Sequence, residues 1–205
     1  MARGIFITFE GIEGCGKSTQ VELLRQHLTA LGQKVVITRE PGGCFIGEKI
    51  RDILLDPENR GMTALTELLL YEASRAQHVA GVIGPTLEAG ETVISDRFYD
   101  ASTAYQGHAR GLGADKVESL NLIATGGLRP DLTIVLDLEA SEGLRRLGQD
   151  LDRIESEAID FHEKVRNGYI EIAKCDPERV RVVDSSGAIE ATAAEIKRIV
   201  NEFLP

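Results

Sequence analysis

Cysteine is scarce in this chain of 205 residues: Cys15, Cys44 and Cys175 are the only three. An odd number, widely spaced and without a C-x-x-C pair, builds neither a disulfide framework nor a zinc ribbon. No apolar stretch approaches the roughly 18 residues that span a bilayer. Only Met1-Ala2-Arg3-Gly4 precedes the first apolar run, too little for a signal peptide. Basic residues are also short, 23 Lys+Arg against 33 Asp+Glu, for a formal net charge of −10. That balance excludes a nucleic-acid polymer as a main partner, because phosphate backbones need clustered Lys and Arg. It leaves open a small phosphate ligand held by a few local cations. Linkers, low-complexity tracts and internal repeats are missing too. The expectation is a cytoplasmic protein of one domain, residues 1–205, without a membrane partner.

What is present alternates. The β-branched runs Ile5–Phe9, Val35–Ile37, Thr92–Ser95, Leu132–Leu136 and Val180–Val183 read as five strands. Between them, helical spacing covers Ser18–Leu31, Gly47–Leu55, Thr63–Glu88, Asp115–Ala124, Ser141–Leu147 and Glu155–Lys174, and Ala188–Phe203 closes the chain. Gly81, Gly84 and Pro85 predict a kink or break in the third of these. Strand–helix alternation implies right-handed βαβ units, so the expected fold is three-layer α/β, a five-stranded parallel sheet flanked by helices.

The sharpest motif is Gly11-Ile12-Glu13-Gly14-Cys15-Gly16-Lys17-Ser18, which fits G-x-x-x-x-G-K-[ST] and lies between a strand and a helix. Its glycines let consecutive N–H groups turn inward onto phosphate oxygens, and the helix N-terminus adds partial positive charge. Lys17 is expected at the β- and γ-phosphates and the Ser18 hydroxyl on Mg²⁺, with Thr19 completing the ATP-binding run. No Asn-Lys-x-Asp element follows a later strand, which argues against a GTPase. Acceptor-site candidates cluster after later strands: Arg39-Glu40-Pro41-Gly42-Gly43, then Asp96-Arg97, Ser102 and Ala104-Tyr105-Gln106-Gly107. Tyr71 and Arg75, at i and i+4, share a helix face and suit a base by stacking and edge hydrogen bonding. His27, His78, His108 and His162 have no ligand pairing and read as solvated. Cys15 reads as a small residue in a tight loop.

Together with the stretch holding Arg75-Ala76-Gln77-His78, and with Leu151-Asp152-Arg153-Ile154-Glu155, these segments resemble the thymidylate kinase family. The resemblance implies a P-loop kinase fold, transfer of the ATP γ-phosphoryl group to dTMP with Mg²⁺, and a homodimer formed through helices such as the one carrying Leu65, Leu68 and Leu69. Position by position it implies Lys17, Asp96, Arg97 and Arg153 as catalytic residues and Ser18 and Asp96 as metal ligands. Glu13, Arg39, Tyr71, Arg75, Arg97, Ser102, Tyr105, Gln106 and Glu155 would bind the acceptor. Residues at about 145–155 would form a lid. The P-loop lacks arginine, so the transition-state cation would come from that lid, with Arg153 first and Arg145 or Arg146 as helpers. Tyr71 and Cys44 stand where the family usually has phenylalanine and threonine. Two alternatives stay open: a kinase of another nucleoside or nucleotide, and a nucleotide-dependent switch that hardly transfers phosphate.

Overall fold

The computed structural model describes residues 3–148 and 151–204. Five parallel strands are hydrogen-bonded in the order β2-β3-β1-β4-β5. They are β1 Phe6–Glu10, β2 Val35–Arg39, β3 Thr92–Asp96, β4 Leu132–Asp137 and β5 Val180–Asp184. From β1 the chain goes to the edge strand β2, returns to β3 beside β1, and then crosses to β4 and β5 on the other side, so the order reverses beside β1. Ligands bind at the carboxyl ends of strands at such a reversal. Every strand ends at that rim on a charged residue: Glu10, Arg39, Asp96, Asp137 and Asp184.

Alternation along the strands sends Ile7, Phe9, Ile94 and Ile134 to one face. There they meet α1 (Lys17–Ala30) and α9 (Ile189–Phe203), while α8 (Ile159–Cys175) reaches the sheet from the side of Glu10, to which its Tyr169 hydroxyl donates. Phe6 and Val93 point to the other face and pack with Ile83, Leu87 and Phe98. That face carries α3 (Ala64–His78) and α4 (Gly84–Glu88), while α2 (Phe45–Leu55) packs on α3. Shorter helices α5 (Tyr99–Ser102) and α7 (Ala140–Arg145) and the longer α6 (Ala114–Thr125) complete the described helical set.

The predicted break in the third helical stretch is a π-helical turn, Val79–Ile83, with Pro85 placed in the first turn of α4. A proline there loses no intrahelical bond. The predicted helix Glu155–Lys174 begins later, at Ile159. Residues 151–157 form turns instead, because the Asp152 carboxylate accepts from the Ile154 and Glu155 N–H groups, both at 2.8 Å. Two histidines read as solvated are in fact buried: His78 lies between Thr38 and Glu40, and His162 lies against Glu13.

Candidate active site

The loop from Gly11 to Ser18 joins β1 to α1 and needs its glycines. Gly14 holds φ +72°, and a Cβ there would sit 2.2 Å from the Gly143 carbonyl oxygen of α7. The Lys17 ammonium folds over the loop and donates to the carbonyls of Gly11 (3.1 Å) and Ile12 (2.8 Å). Cys15 is buried, its Sγ 3.5 Å from Lys17 Nζ. Ser18, exposed in the first turn of α1 beside Thr19, donates to Asp96 Oδ2 at 3.3 Å. A hydroxyl and a carboxylate side by side suit Mg²⁺, a hard cation that takes few protein oxygens and keeps water and phosphate for the rest. No larger metal-ligating cluster occurs among the described residues.

A cleft of about 230 Å³ opens from this loop across the rim of β1, β3 and β2. Its wall includes Glu13, Gly14, Lys17, Arg39, Tyr71, Asp96, Arg97, Ser102, Tyr105, Gln106 and Glu155, so eleven of the expected site residues meet in one space. Arg97 is the hub. It has φ +71°, the left-handed region. Its guanidinium donates to Gly11 O (3.0 Å), Tyr169 Oη (3.3 Å) and Glu13 Oε1 (2.8 Å). Glu13 also accepts from the Tyr105 hydroxyl at 2.5 Å and from His162 at 3.2 Å. Burial alone would raise the Glu13 pKa, but Arg97, His162, Lys17 and Tyr105 outweigh it and hold the carboxyl well below the usual range. Tyr105 and Gln106 come from a π-helical turn, Thr103–Ala109, a distortion frequent at functional sites. Arg39 is half exposed and paired with Glu48 at 2.8 Å.

Two expected contacts are not made. Arg75 is 1% exposed and lies behind the cleft wall. Its five N–H groups are all taken, by Glu40 (2.8 Å), Glu72 (2.7 Å), Asn121 (3.0 Å), the Phe98 carbonyl (3.3 Å) and Ser102 (3.0 Å). None is left for a base edge, and Arg75 touches the cleft through Ser102. Arg153 does not reach the cleft either. It is buried, donating Nε to Leu54 O (2.7 Å) and Nη1 to Glu67 Oε2 (2.6 Å). The turn held by Asp152 sends Arg153 away from the cleft, while Asp152, Ile154 and Glu155 line it. The lid-side cation near the loop is Arg146, whose Nη1 lies 3.4 Å from Gly14 O and whose Nε donates to Glu142 at 3.1 Å; Arg145 is more exposed and pairs with the same carboxylate. Gln149 and Asp150 of the expected lid lie outside the described residues. Arg51 lines the cleft and was missed, although it sits in the middle of the expected helix Gly47–Leu55.

A triphosphate loop and an acceptor cleft that share one sheet rim define a P-loop phosphotransferase of the nucleotide kinase class. The family model for thymidylate kinase matches residues 9–196. Thymidylate kinase from Geobacter sp. (strain M21) is 53% identical over 197 residues, 92% of this chain and 88% of that one. The thymidylate kinase of Symbiobacterium thermophilum is 50% identical over 202 residues, 98% and 94% of the two chains. The crystal structure of thymidylate kinase from Ehrlichia chaffeensis superposes with a TM-score of 0.81 at 33% identity, over 97% of this chain and 99% of that one. The chain belongs to the thymidylate kinase family.

Proposed function

We propose that this chain transfers the γ-phosphoryl group of ATP to dTMP, giving dTDP and ADP, in the synthesis of dTTP. The observation that carries the reading is one cleft lined by Lys17, Asp96, Arg97 and Tyr71, with the Ser18 hydroxyl bonded to Asp96 at its edge. The loop N–H groups and Lys17 bind the donor phosphates. Ser18 and Asp96 would hold Mg²⁺, which supplies charge neutralisation when bound. Arg39, Arg97 and the newly found Arg51 hold the acceptor phosphate, Tyr71 stacks on the base, and Ser102 and Gln106 meet its edge. Tyr105 closes the sugar side, where bulk near C2′ disfavours ribonucleotides. Two anions must approach, so the work is positioning and electrostatic stabilisation, and the acceptor phosphate needs no strong base. Arg146, at the edge of the loop, takes the transition-state role first given to Arg153.

The chain works as one unit over 1–205, with the lid at about 145–155 closing against water. It acts in the cytoplasm; no described helix is long and apolar enough to cross a membrane. A homodimer is supported by the half-exposed Leu65 and Leu69 on α3, while Leu68 is buried within the protomer. An assay with ATP, Mg²⁺ and a panel of dTMP, dUMP, dCMP, dGMP and UMP tests the reading. Best turnover on dTMP is expected; a better acceptor would replace it by another nucleotide kinase, and nucleotide binding without any transfer would favour the switch.

A further inference from the structure

The buried face of α8 carries Phe161, His162, Val165, Gly168 and Tyr169, an apolar stripe broken by one imidazole and one phenol. His162 and Tyr169 stand two turns apart on that face, and each donates to an acid at the exit of β1. Tyr169 Oη donates to Glu10 Oε2 at 2.7 Å, and His162 Nδ1 to Glu13 Oε2 at 3.2 Å. A carboxylate this acidic only accepts, so Nδ1 carries the proton. His162 is 1% exposed, and its Nε2 has no partner among the described residues. Burying an unpartnered ring nitrogen is costly, a cost that an apolar side chain of the same size would avoid. Packing alone therefore does not account for histidine here. The bond to Glu13 does.

Glu13 Oε1 receives Arg97 and Tyr105, whereas Oε2 receives His162 and no other donor among the described residues. A carboxylate rotates easily about its last torsion. With both oxygens held its plane is fixed, and so is the guanidinium of Arg97 bonded to it. We propose that His162 is a positioning residue for acceptor binding: it locks the Glu13 carboxylate so that Arg97 is presented to the phosphate of the nucleoside monophosphate. This rests on the acceptor role given to Arg97 above.

The test separates donor from volume. His162→Phe keeps bulk and removes the donor; His162→Asn loses bulk but can place an amide N–H where Nδ1 stands. The KM for dTMP should rise about tenfold in H162F, the usual scale for losing a hydrogen bond to a charged group, with kcat and the KM for ATP changed far less. H162N should return within roughly threefold of the parent. In an E13Q background the H162F penalty should vanish, because the effect runs through Glu13. H162L replaces H162F if the latter does not fold. An H162N variant as impaired as H162F, or a penalty undiminished in E13Q, overturns the proposal and leaves a packing role. A parent enzyme inactive on dTMP but active on another monophosphate overturns the substrate reading alone, and the same series is then run on that acceptor.

Discussion

Arg153 Nη1 lies 2.6 Å from Glu67 Oε2, one helical turn before Tyr71 on α3, so an arginine of the lid motif is tied beneath the acceptor cleft. Gln106 and Arg110 share the same carboxylate, at 2.8 Å and 3.1 Å. Burial alone would raise the Glu67 pKa, but Arg110, Gln106 and Arg153 outweigh it and keep the carboxyl below its ordinary value.

Arg153 and Arg146 should therefore fail differently. Arg153→Met leaves a buried carboxylate short of a partner and should cost about 2–3 kcal/mol of stability, less than a full broken pair because Arg110 remains. Arg146→Ala should leave the melting temperature within about 1 °C and lower kcat by about a hundredfold, as loss of a transition-state donor does. Thermal melts beside steady-state kinetics distinguish the two; a kcat loss confined to R153M in a fully folded protein would restore the sequence-based assignment.

Ser102→Ala should leave one Arg75 N–H buried without an acceptor, a cost of roughly 1–2 kcal/mol. Because Ser102 lines the cleft and Arg75 does not, the KM for dTMP should rise about fivefold, within the range of one lost hydrogen bond. Denaturant melts and acceptor titrations read these separately.

Glu10 is buried at the end of β1, and burial, then the charge of Asp100, pushes its pKa from 4.5 up to about 8 despite Arg97, Tyr169 and the Phe98 N–H. The folded chain thus holds this proton more tightly than the unfolded one. Its contribution to stability is complete below pH 4.5 and is lost as pH rises toward 8. Glu10→Gln keeps an acceptor for the Phe98 N–H and carries no charge. It should flatten that decline and raise the melting temperature at pH 8 by roughly 4 °C. Melts at pH 5, 6.5 and 8 decide it; parallel curves for the two proteins would contradict the assignment.

Cys44 caps α2 through its sulfur, which accepts from the Gly47 N–H at 3.4 Å. Sulfur is a weak acceptor, and the backbone is already extended as an N-cap requires. Cys44→Thr should stabilise by about 0.5–1 kcal/mol, raising the melting temperature by roughly 2–3 °C with activity unchanged.

The strands were legible because apolar runs such as Leu132–Leu136 are buried along their whole length, and the structure extends that one by Asp137 into the charged rim. The phosphate loop was legible because its chemistry is local. Arg153 was not, since the direction of its side chain depends on the turn set by Asp152, and that turn replaces an expected helix start. His162 was hidden for a related reason: its partner is Glu13, 149 residues away, and spacing carries no trace of it. Arg75 was recognised as important but assigned to the wrong side of the wall, because its five acceptors come from four separate parts of the chain.

The left-handed backbone at Arg97 has a geometric effect of its own. Neighbours on a regular strand point to opposite faces, so Asp96 and Arg97 would ordinarily be divided between two sides of the sheet. The turn at φ +71°, unfavourable by roughly 1–2 kcal/mol for a residue with a Cβ, lets both line one cleft. On the assignment proposed here, Asp96 serves the donor end and Arg97 the acceptor end. The alignment of leaving group and nucleophile is then set by the torsion of a single peptide unit, which makes the spacing between the two half-sites a covalent ruler rather than a product of lid closure.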